Sequence, residues 1–380
     1  MVFYAQKRSV TPRGSTHGAF VAFVGDVPTR QDLEHGEAFY HDSGSFKLIA
    51  RGLRHNGIDP NSCFFTHAVL HGGVAYDKVA LRAAAKARKE ALHEELTACG
   101  AKWIVPMGPH ALKSILGLKS QPDFLKGWRG SVSLMPSGSL PSDTPRYVTP
   151  VLHPSFLFST PKWKPWFQND INRLGRLHGV GSWSPPEASC TITIGRTVSI
   201  IKDWLARHDD AEAVASDVET VGLGPTRTGL VCYGLGVRDA ALIIPWSKAS
   251  NGAEPWFDNV QSNRVVAYVN TFFESRYAVS HNGPAFDHIV LARYGFRTPL
   301  WHDTLLMSHA GQSHMPKNLA HLATTWLDVG PWKTQDHASN IEDLWFYNAQ
   351  DVIYTIRAFH AMVEVQGWPK PQSIATGATS

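Results

Sequence analysis

The segment Ala213-Val-Ala-Ser-Asp-Val-Glu-Thr220 joins a short apolar run to two acids that lie two positions apart. Alternate side chains of a β-strand point to the same face, so Asp217 and Glu219 are expected to project together from a buried strand. Neighbouring carboxylates repel each other, and this arrangement is tolerated best around a cation. Taken alone, such a pair is also typical of a solvated strand edge.

Two further segments of the same half carry acids. Asp287 opens an apolar helix at the end of Ser280-His-Asn-Gly-Pro-Ala-Phe-Asp-His288. Tyr347 and Asp351 are four residues apart, which predicts that they share one face of a helix. Oxygen ligands from these segments would suit a hard cation such as Mg²⁺ or Mn²⁺. We therefore expect the four acids and the phenol to converge on one site.

The composition excludes several classes of protein. The chain has 380 residues, of which 43% are hydrophobic and 18% charged, so wholesale disorder is excluded. No apolar run approaches the ~18–20 residues of a membrane helix, and the first residues lack the apolar core of a signal peptide. The four cysteines are scattered without a Cys-x-x-Cys pair, which predicts a reducing cytoplasm rather than a disulfide framework.

The charge is distributed unevenly along the chain. Residues 1–180 carry 22 Lys and Arg against 13 Asp and Glu, whereas residues 181–380 carry 14 against 19. The basic half suits a polyanion such as nucleic acid. A Gly-, Ser- and Pro-rich stretch separates the halves, which predicts a linker over 179–193 between domains at 1–178 and 194–368, with a flexible tail over 369–380.

The pattern of apolar runs predicts an α/β fold in both domains. In the first domain, strands predicted over 20–24, 63–70, 102–107 and 147–152 alternate with helices over 78–96 and 110–116. This alternation favours a parallel sheet with helices on both faces, that is, three layers, with ligands at the carboxyl ends of the strands. The second domain begins with strands and continues with helices, which favours a mixed sheet.

In their order and setting, the acidic segments resemble the DEDD superfamily of 3′–5′ exonucleases, specifically the proofreading domains of family A DNA polymerases. The resemblance covers roughly residues 198–364. It consists of Asp-x-Glu-Thr at 217–220, His-Asn-Gly-x-x-Phe-Asp at 281–287 and Tyr-x-x-x-Asp at 347–351, with an Asp-Thr stretch at 303–304. Tyr347 is similar to the residue that defines the tyrosine subclass. The resemblance implies an RNase H-like fold.

The resemblance also implies roles for individual residues. Two divalent metal ions, Mg²⁺ or Mn²⁺, would clamp the attacking and leaving oxygens of a phosphodiester. Tyr347 would orient the attacking water, and Asn282 and Thr220 would contact the DNA strand. The implied metal ligands are Asp217, Glu219, Asp287 and Asp351.

The first domain resembles the uracil-DNA glycosylase superfamily, nearest its iron–sulfur type, over about residues 20–174. The matching positions are Gly25, Pro28, Gly36, Phe39 and Gly44, followed by His153-Pro-Ser155. The resemblance implies a pocket for a base flipped out of the stack. Phe39 would stack on that base, His153 would stabilise the leaving base, and Asp26 would assist the attacking water.

Two departures from that family favour a DNA-holding domain over an active glycosylase. The family's uracil-reading Asn is His67 here, and imidazole cannot offer the donor and acceptor pair of an amide. The cysteines that would hold an iron–sulfur cluster are absent, so no cluster is expected. Excision of uracil or of a modified base stays open as an alternative.

We therefore predict a metal-dependent 3′–5′ DNA exonuclease with a glycosylase-like first domain. Its expected partner is the single-stranded 3′ end of DNA, with duplex DNA on the first domain and no membrane. Fusions of these two domains ahead of a family A polymerase occur in some phages, so a polymerase acting in trans is a candidate partner, and the host cytoplasm the location of a phage-encoded chain. The alternatives are a glycosylase with an accessory nuclease-like domain and a non-catalytic replication scaffold.

Overall fold

The computed structural model describes residues 8–72, 77–136, 145–178, 182–298, 301–334 and 340–366. The chain divides into two compact units, Met1–Trp183 and Ser184–Ser380. Each unit is built on a six-stranded sheet. Among the described residues, no helix combines the length and apolar character needed to cross a membrane.

The sheet of the first unit has a parallel centre and antiparallel edges. Its strand order is β1-β3-β2-β4-β6-β5, and β3, β2, β4 and β6 are parallel to one another. The strands are β1 (Arg13–Gly14), β2 (Val21–Gly25), β3 (Phe64–His67), β4 (Trp103–Met107), β5 (Ser133–Leu134) and β6 (Tyr147–Val148). The α/β prediction is confirmed, although β6 is much shorter than the run over 147–152 suggested.

Seven helices in the described part of this unit pack in two groups. The first group is α2 (Gly44–His55), α6 (Pro154–Ser159) and α7 (Lys164–His178), and the second is α3 (Lys78–Ala87), α4 (Lys89–Cys99) and α5 (Pro109–Leu116). The short α1 (Arg30–His35) follows β2. The single helix predicted over 78–96 is wrong, because the chain turns at Arg88, which separates α3 from α4 with a φ of −91° and a ψ of −3°.

The sheet of the second unit is mixed, as predicted. Its order is β12-β11-β8-β9-β10-β7, in which β9 is antiparallel to both neighbours and the remaining pairs are parallel. The strands are β7 (Thr191–Ile194), β8 (Ala213–Thr220), β9 (Leu230–Val237), β10 (Ala240–Pro245), β11 (Tyr277–Ser280) and β12 (Trp301–Asp303).

Two apolar clusters cover the two faces of this sheet. Val214 and Val218 of β8 pack towards α8, α9 and α10, whereas Ala213 and Ala215 pack towards α12 and α13. Because side chains alternate along a strand, Asp217 and Glu219 share the α13 face. The helices are α8 (Val198–Arg207), α9 (Asn259–Phe273), α10 (Asp287–Arg293), α11 (Thr304–Gly311), α12 (Leu319–Trp326) and α13 (Ile341–Gln366).

The structure describes most of the predicted linker but not the predicted tail. Within 179–193, residues 186–189 form a short 3₁₀ helix and Thr191 already pairs with Ala240 of β10, so the second unit begins before residue 194. Residues 179–181 and the tail over 369–380 lie outside the described residues.

Candidate active site

Three acids meet where β8 faces α13. Asp217 and Glu219 come from β8, and Asp351 comes from the helix packed over it. One carboxylate oxygen from each lies within 4.8 Å of the others, close enough to bind one metal ion. The strand spacing and the helical Tyr-x-x-x-Asp pattern predicted which side chains share a face, and the motif resemblance implied that they meet at one site.

Two glycines of β9 allow α13 to lie close to the sheet. A Cβ atom at Gly234 would lie 2.2 Å from Asn348 Oδ1, and one at Gly236 would lie 2.9 Å from Val352. Side chains at either position would push α13 outwards. The close packing lets Asn348 Nδ2 donate a 2.6 Å hydrogen bond to Asp217 Oδ2, which links the strand-borne acid to the helix.

Asp287, the fourth predicted acid, lies beside this group rather than in it. It begins α10, and its Oδ1 accepts a 3.0 Å hydrogen bond from the backbone N–H of Val218, between the two acids of β8. The structure therefore brings Asp217, Glu219 and Asp351 close enough to bind one metal ion. Asp287 is hydrogen-bonded to the backbone of β8 beside them.

Burial and mutual repulsion raise the pKa values of Asp217, Glu219 and Asp287. Burial, followed by the charge of Asp351, raises the pKa of Glu219 to about 8. Burial raises the pKa of Asp287 to about 7, and burial with the charges of Asp287 and Asp351 places the pKa of Asp217 well above its ordinary range. Such a cluster is stabilised by protons or by a cation, since either one removes the repulsion.

Trp332 and Lys333 complete the surroundings of Asp351, and sequence reasoning missed both. Trp332 Nε1 donates to Asp351 Oδ1 at 2.6 Å, and Lys333 Nζ donates to Asp351 Oδ2 at 2.5 Å and to Tyr347 Oη at 2.6 Å. Burial would lower the pKa of Lys333, but the charge of Asp351 and the hydrogen bonds to Asp351 and Tyr347 outweigh it and raise that pKa. Burial and Asp351 likewise raise the pKa of Tyr347.

The two predicted DNA-contacting residues lie at the ends of strands. Asn282 follows β11 in a left-handed conformation with φ of 68°, and its backbone N–H donates to Asp303 Oδ1 at 3.1 Å. Asn282 is exposed. Thr220 ends β8, and its hydroxyl donates to the carbonyl of Gly222 at 2.8 Å. Asp303 also caps α11, a role that its place before Thr304 signals in the sequence.

The first unit has a cavity of about 680 Å³ at the carboxyl ends of its central strands. Asp26 and His153 line it together with apolar side chains, among them Phe124, Leu152 and Phe156. Asp26 Oδ1 accepts a 2.7 Å hydrogen bond from the N–H of Ala111, and burial raises the pKa of Asp26 to about 7. Burial, and after it the nearby His67, lower the pKa of His153 to about 4.

Phe39 and His67 lie behind this cavity and not on its wall. The ring of His67 stacks on that of Phe39, with centroids 4.7 Å apart and planes at 5°. Phe39 is 1% exposed and His67 is 0% exposed. The imidazole of His67 covers the ring of Phe39 in this structure, and the expectation that Phe39 stacks on a base stays a prediction.

Asp32 and Gly25 hold the His67 imidazole in this position. Its Nε2 lies 3.5 Å from Asp32 Oδ2, a carboxylate buried under the N–H groups of Thr29 and Tyr40. A Cβ atom at Gly25 would lie 2.3 Å from Nδ1 of the same ring, so only glycine leaves room for it. No spacing in the sequence signals Asp32, which reaches His67 from the helix after β2.

Comparisons with known proteins agree with this division. Residues 12–174 match the family model described as the uracil DNA glycosylase superfamily, and residues 192–365 match the model described as 3′-5′ exonuclease. The chain therefore contains a domain of each kind. No curated protein matches the chain.

Several solved structures are similar to the second part of the chain. Brucella melitensis NrnC is 21% identical over 47% of this chain and 84% of its own, with a TM-score of 0.35. The Aedes aegypti Nibbler EXO domain is 12% identical over 49% of this chain and 92% of its own, with a TM-score of 0.38. Escherichia coli RNase D, an exoribonuclease, is 17% identical over 47% of this chain and 46% of its own, with a TM-score of 0.33.

Proposed function

We propose that this protein is a metal-dependent 3′–5′ DNA exonuclease of the tyrosine subclass of the DEDD superfamily. The observation that carries the proposal is the meeting of Asp217, Glu219 and Asp351 within 4.8 Å, inside a domain that matches the 3′-5′ exonuclease model. Each acid comes from the motif position that the sequence resemblance assigned to it.

The donor set fits divalent metal ions. The three acids offer only oxygen ligands, which Mg²⁺ and Mn²⁺ prefer, and the raised pKa values of Asp217 and Glu219 reflect burial and a repulsion that a cation would remove. Asp217, Glu219 and Asp351 would hold one ion, and Asp287 with Asp217 would hold the second. Bound there, the ions would activate water and stabilise the charge of an in-line phosphodiester displacement.

The protein's own groups would position the reactants. Tyr347 lies one helical turn before Asp351, so its hydroxyl is placed to orient a water beside the acids. Asn282 presents an exposed amide at the end of β11, where it can hold the terminal nucleotide. Asn348 would keep Asp217 aligned through its 2.6 Å hydrogen bond.

Hydrolysis of a 5′-labelled DNA strand tests the proposal. We expect a ladder that shortens from the 3′ end in Mg²⁺ and no products in EDTA. Asp217→Asn should lower the rate about 1,000-fold, which corresponds to the several kcal/mol that a bound metal supplies to the transition state. Glu364→Gln, which removes an exposed carboxylate from the same helix as Asp351, is the control and should hydrolyse normally.

Several outcomes would contradict or narrow the proposal. Wild-type rates in Asp217→Asn would refute it, and an inert chain in both metals would favour a replication scaffold. Faster hydrolysis of RNA than of DNA would refute the choice of substrate. A proofreading role for a polymerase in trans follows from the motif resemblance, and it predicts that single-stranded and mismatched 3′ ends are hydrolysed faster than paired ones.

For the first domain, we propose that it holds DNA without excising uracil. His67 covers the ring of Phe39, which is not open to a base, and this half of the chain carries the excess of Lys and Arg. Incubation of uracil-containing DNA in EDTA should therefore give no alkali-labile sites. The placement of Asp26 and His153 on one cavity favours the rival, an active glycosylase, and alkali-labile sites would establish it.

A further inference from the structure

Lys333 joins two residues of the candidate active site that the motifs already single out. It lies in the short 3₁₀ helix Trp332–Thr334, which precedes α13. Its Nζ donates to Tyr347 Oη at 2.6 Å and to Asp351 Oδ2 at 2.5 Å. The same Nζ lies 4.5 Å from the centre of the Tyr347 ring. One ammonium group therefore spans the phenol and the carboxylate of the Tyr-x-x-x-Asp motif.

The ammonium fixes the direction of the Tyr347 hydroxyl. A lysine ammonium has three donors and no acceptor, so Tyr347 Oη must act as the acceptor in this hydrogen bond. The hydroxyl hydrogen of Tyr347 is thereby directed away from Lys333. A hydroxyl without such a donor rotates to suit its surroundings, and its position around the phenol C–O bond would not be set.

Asp351 is held from both sides in the same way. Its Oδ1 accepts from Trp332 Nε1 and its Oδ2 from Lys333 Nζ, and these two donors are consecutive in the chain. The side chain of Lys333 is 27% exposed, whereas that of Asp351 is 5% exposed. Charge-assisted hydrogen bonds at a partly buried site are short and geometrically restrictive, so the two donors set the orientation of this carboxylate.

We propose that Lys333 is a positioning residue for phosphodiester hydrolysis, which is anchored on the Asp351 carboxylate and holds the Tyr347 hydroxyl in the orientation that places the attacking water. The inference rests on the proposed exonuclease function. Lys333 takes no part in bond making or bond breaking; it acts through Tyr347. A displacement of about 1 Å in such a group can cost about 100-fold in rate.

A double-mutant cycle tests this role. We expect Lys333→Met and Tyr347→Phe each to lower kcat about 100-fold with KM within about twofold. Tyr347→Phe removes the hydroxyl, and Lys333→Met removes the donor that orients it. The double variant should be no slower than either single variant, since the two residues then act as one unit. Lys248→Met is the matched control, because Lys248 pairs with Glu254 at 2.7 Å on the surface, and it should keep the wild-type rate.

The cycle has outcomes that overturn the inference. A double variant about 10,000-fold slower would show that Lys333 and Tyr347 act independently. An undiminished kcat in Lys333→Met, or a loss confined to KM, would equally refute the role. An inert wild-type chain would refute the proposed function and this inference together, whereas an active wild-type chain with an equally active Lys333→Met refutes the inference alone.

Metal binding without DNA gives a second readout. Lys333→Met should bind Mn²⁺ in calorimetry at least as tightly as the wild type, because it removes a competing cation from Asp351, whereas Asp217→Asn should bind it more weakly. Weaker binding by Lys333→Met would show that Lys333 serves only to hold the acids together. If Lys333→Met does not fold, Lys333→Arg replaces it. Arginine keeps the positive charge, so Lys333→Arg should keep at least about a tenth of the wild-type kcat. A loss of kcat as large as that of Tyr347→Phe would refute the inference.

Discussion

At the scale of single residues, both candidate sites contain buried carboxyl groups whose pKa values are raised. In the second unit, burial and neighbouring acids raise the pKa values of Asp217 and Glu219, which favours a bound cation. In the first unit Asp26 is enclosed between β2 and the start of α5, with Gly108 so close that a Cβ atom there would lie 2.4 Å from the carboxyl carbon. Burial thus acts on Asp26 without a neighbouring acid.

Asp26 predicts a pH dependence of stability. Its pKa is about 7 in the folded chain and 3.8 when exposed, so the folded state binds the proton more tightly. The stability that this proton contributes is complete below about pH 4 and is lost as the pH rises to 7. Asp26→Asn cannot lose the proton, and its Oδ1 can still accept from Ala111. The free energy of unfolding of Asp26→Asn relative to wild type should therefore increase between pH 5 and pH 8.

Urea unfolding at the two pH values measures this difference. Asp123→Asn, which neutralises a solvent-exposed acid that also lines the cavity, is the control and should change little between them. A wild-type chain that gains stability relative to Asp26→Asn as the pH rises would show that the Asp26 carboxylate is stabilised by the fold.

From the sequence, we could identify only those side chains of the candidate site whose spacing follows the period of a strand or a helix. Asp217 and Glu219 alternate on a strand, and Tyr347 and Asp351 share a helical face, so periodicity predicted each pair. That the two pairs meet was implied by the resemblance to the exonuclease motifs. Lys333 and Asn348 have no such signal, because their contacts depend on how closely a loop and a helix pack on the sheet. The motif resemblance gives Phe39 a base-stacking role, and only tertiary packing reveals that its ring contacts His67.

At the scale of elements, the placement of α13 against β9 decides whether the site forms. Gly234 and Gly236 lie on the face of β9 that α13 covers, and both approach side chains of that helix within 3.0 Å of an added Cβ. The helix carries Tyr347, Asn348 and Asp351. A small outward shift of one helix would therefore separate the acid of α13 from the acids of β8.

Gly234→Ala tests this placement. The added methyl group would overlap Asn348 Oδ1, so we expect a loss of about 1–3 kcal/mol in the free energy of unfolding. The nuclease rate should also fall at least about tenfold, because Asn348 no longer aligns Asp217. Chemical denaturation and the DNA assay measure the two effects. Gly224→Ala, which meets no atom within 4 Å, should leave stability nearly unchanged.

An unaltered rate in Gly234→Ala would show that the site tolerates movement of α13. Element boundaries were not fully predictable from the sequence either. The helix predicted over 78–96 is two helices, because Arg88 adopts a φ of −91° and a ψ of −3° at the junction, and no Gly or Pro marks that turn.

At the scale of the whole molecule, the two units have opposite charge balance and different sites. Residues 1–180 have the excess of basic residues, and residues 181–380 have the excess of acids that a metal-binding cluster requires. The classes of the two domains were predictable because each contains several motifs in the same order as the family that it resembles. The start of the second unit was not, because the Gly-, Ser- and Pro-rich stretch up to Ser189 resembles a linker, yet its Glu187 binds Gln350 of α13 and the strand that follows pairs with β10.

Divalent metal should stabilise one unit only. A ligand that binds the folded state at 100 times its Kd adds about 2.7 kcal/mol to the free energy of unfolding. In calorimetry of the full chain, saturating Mg²⁺ should raise the Tm of the transition that contains the second unit and leave the other in place. Asp217→Asn should abolish the shift. An equal shift of both transitions, with KCl of matched ionic strength as the control, would indicate a general salt effect instead.

The most direct measurement of the central claim is the position of a bound metal. Crystals of the wild-type chain soaked in Mn²⁺ should show an anomalous scattering peak about 2.1 Å from carboxylate oxygens of Asp217, Glu219 and Asp351. The peak should be missing or weakened in crystals of Asp217→Asn. Saturating Mn²⁺ with no peak between these carboxylates, or with peaks only elsewhere on the molecule, would contradict the account.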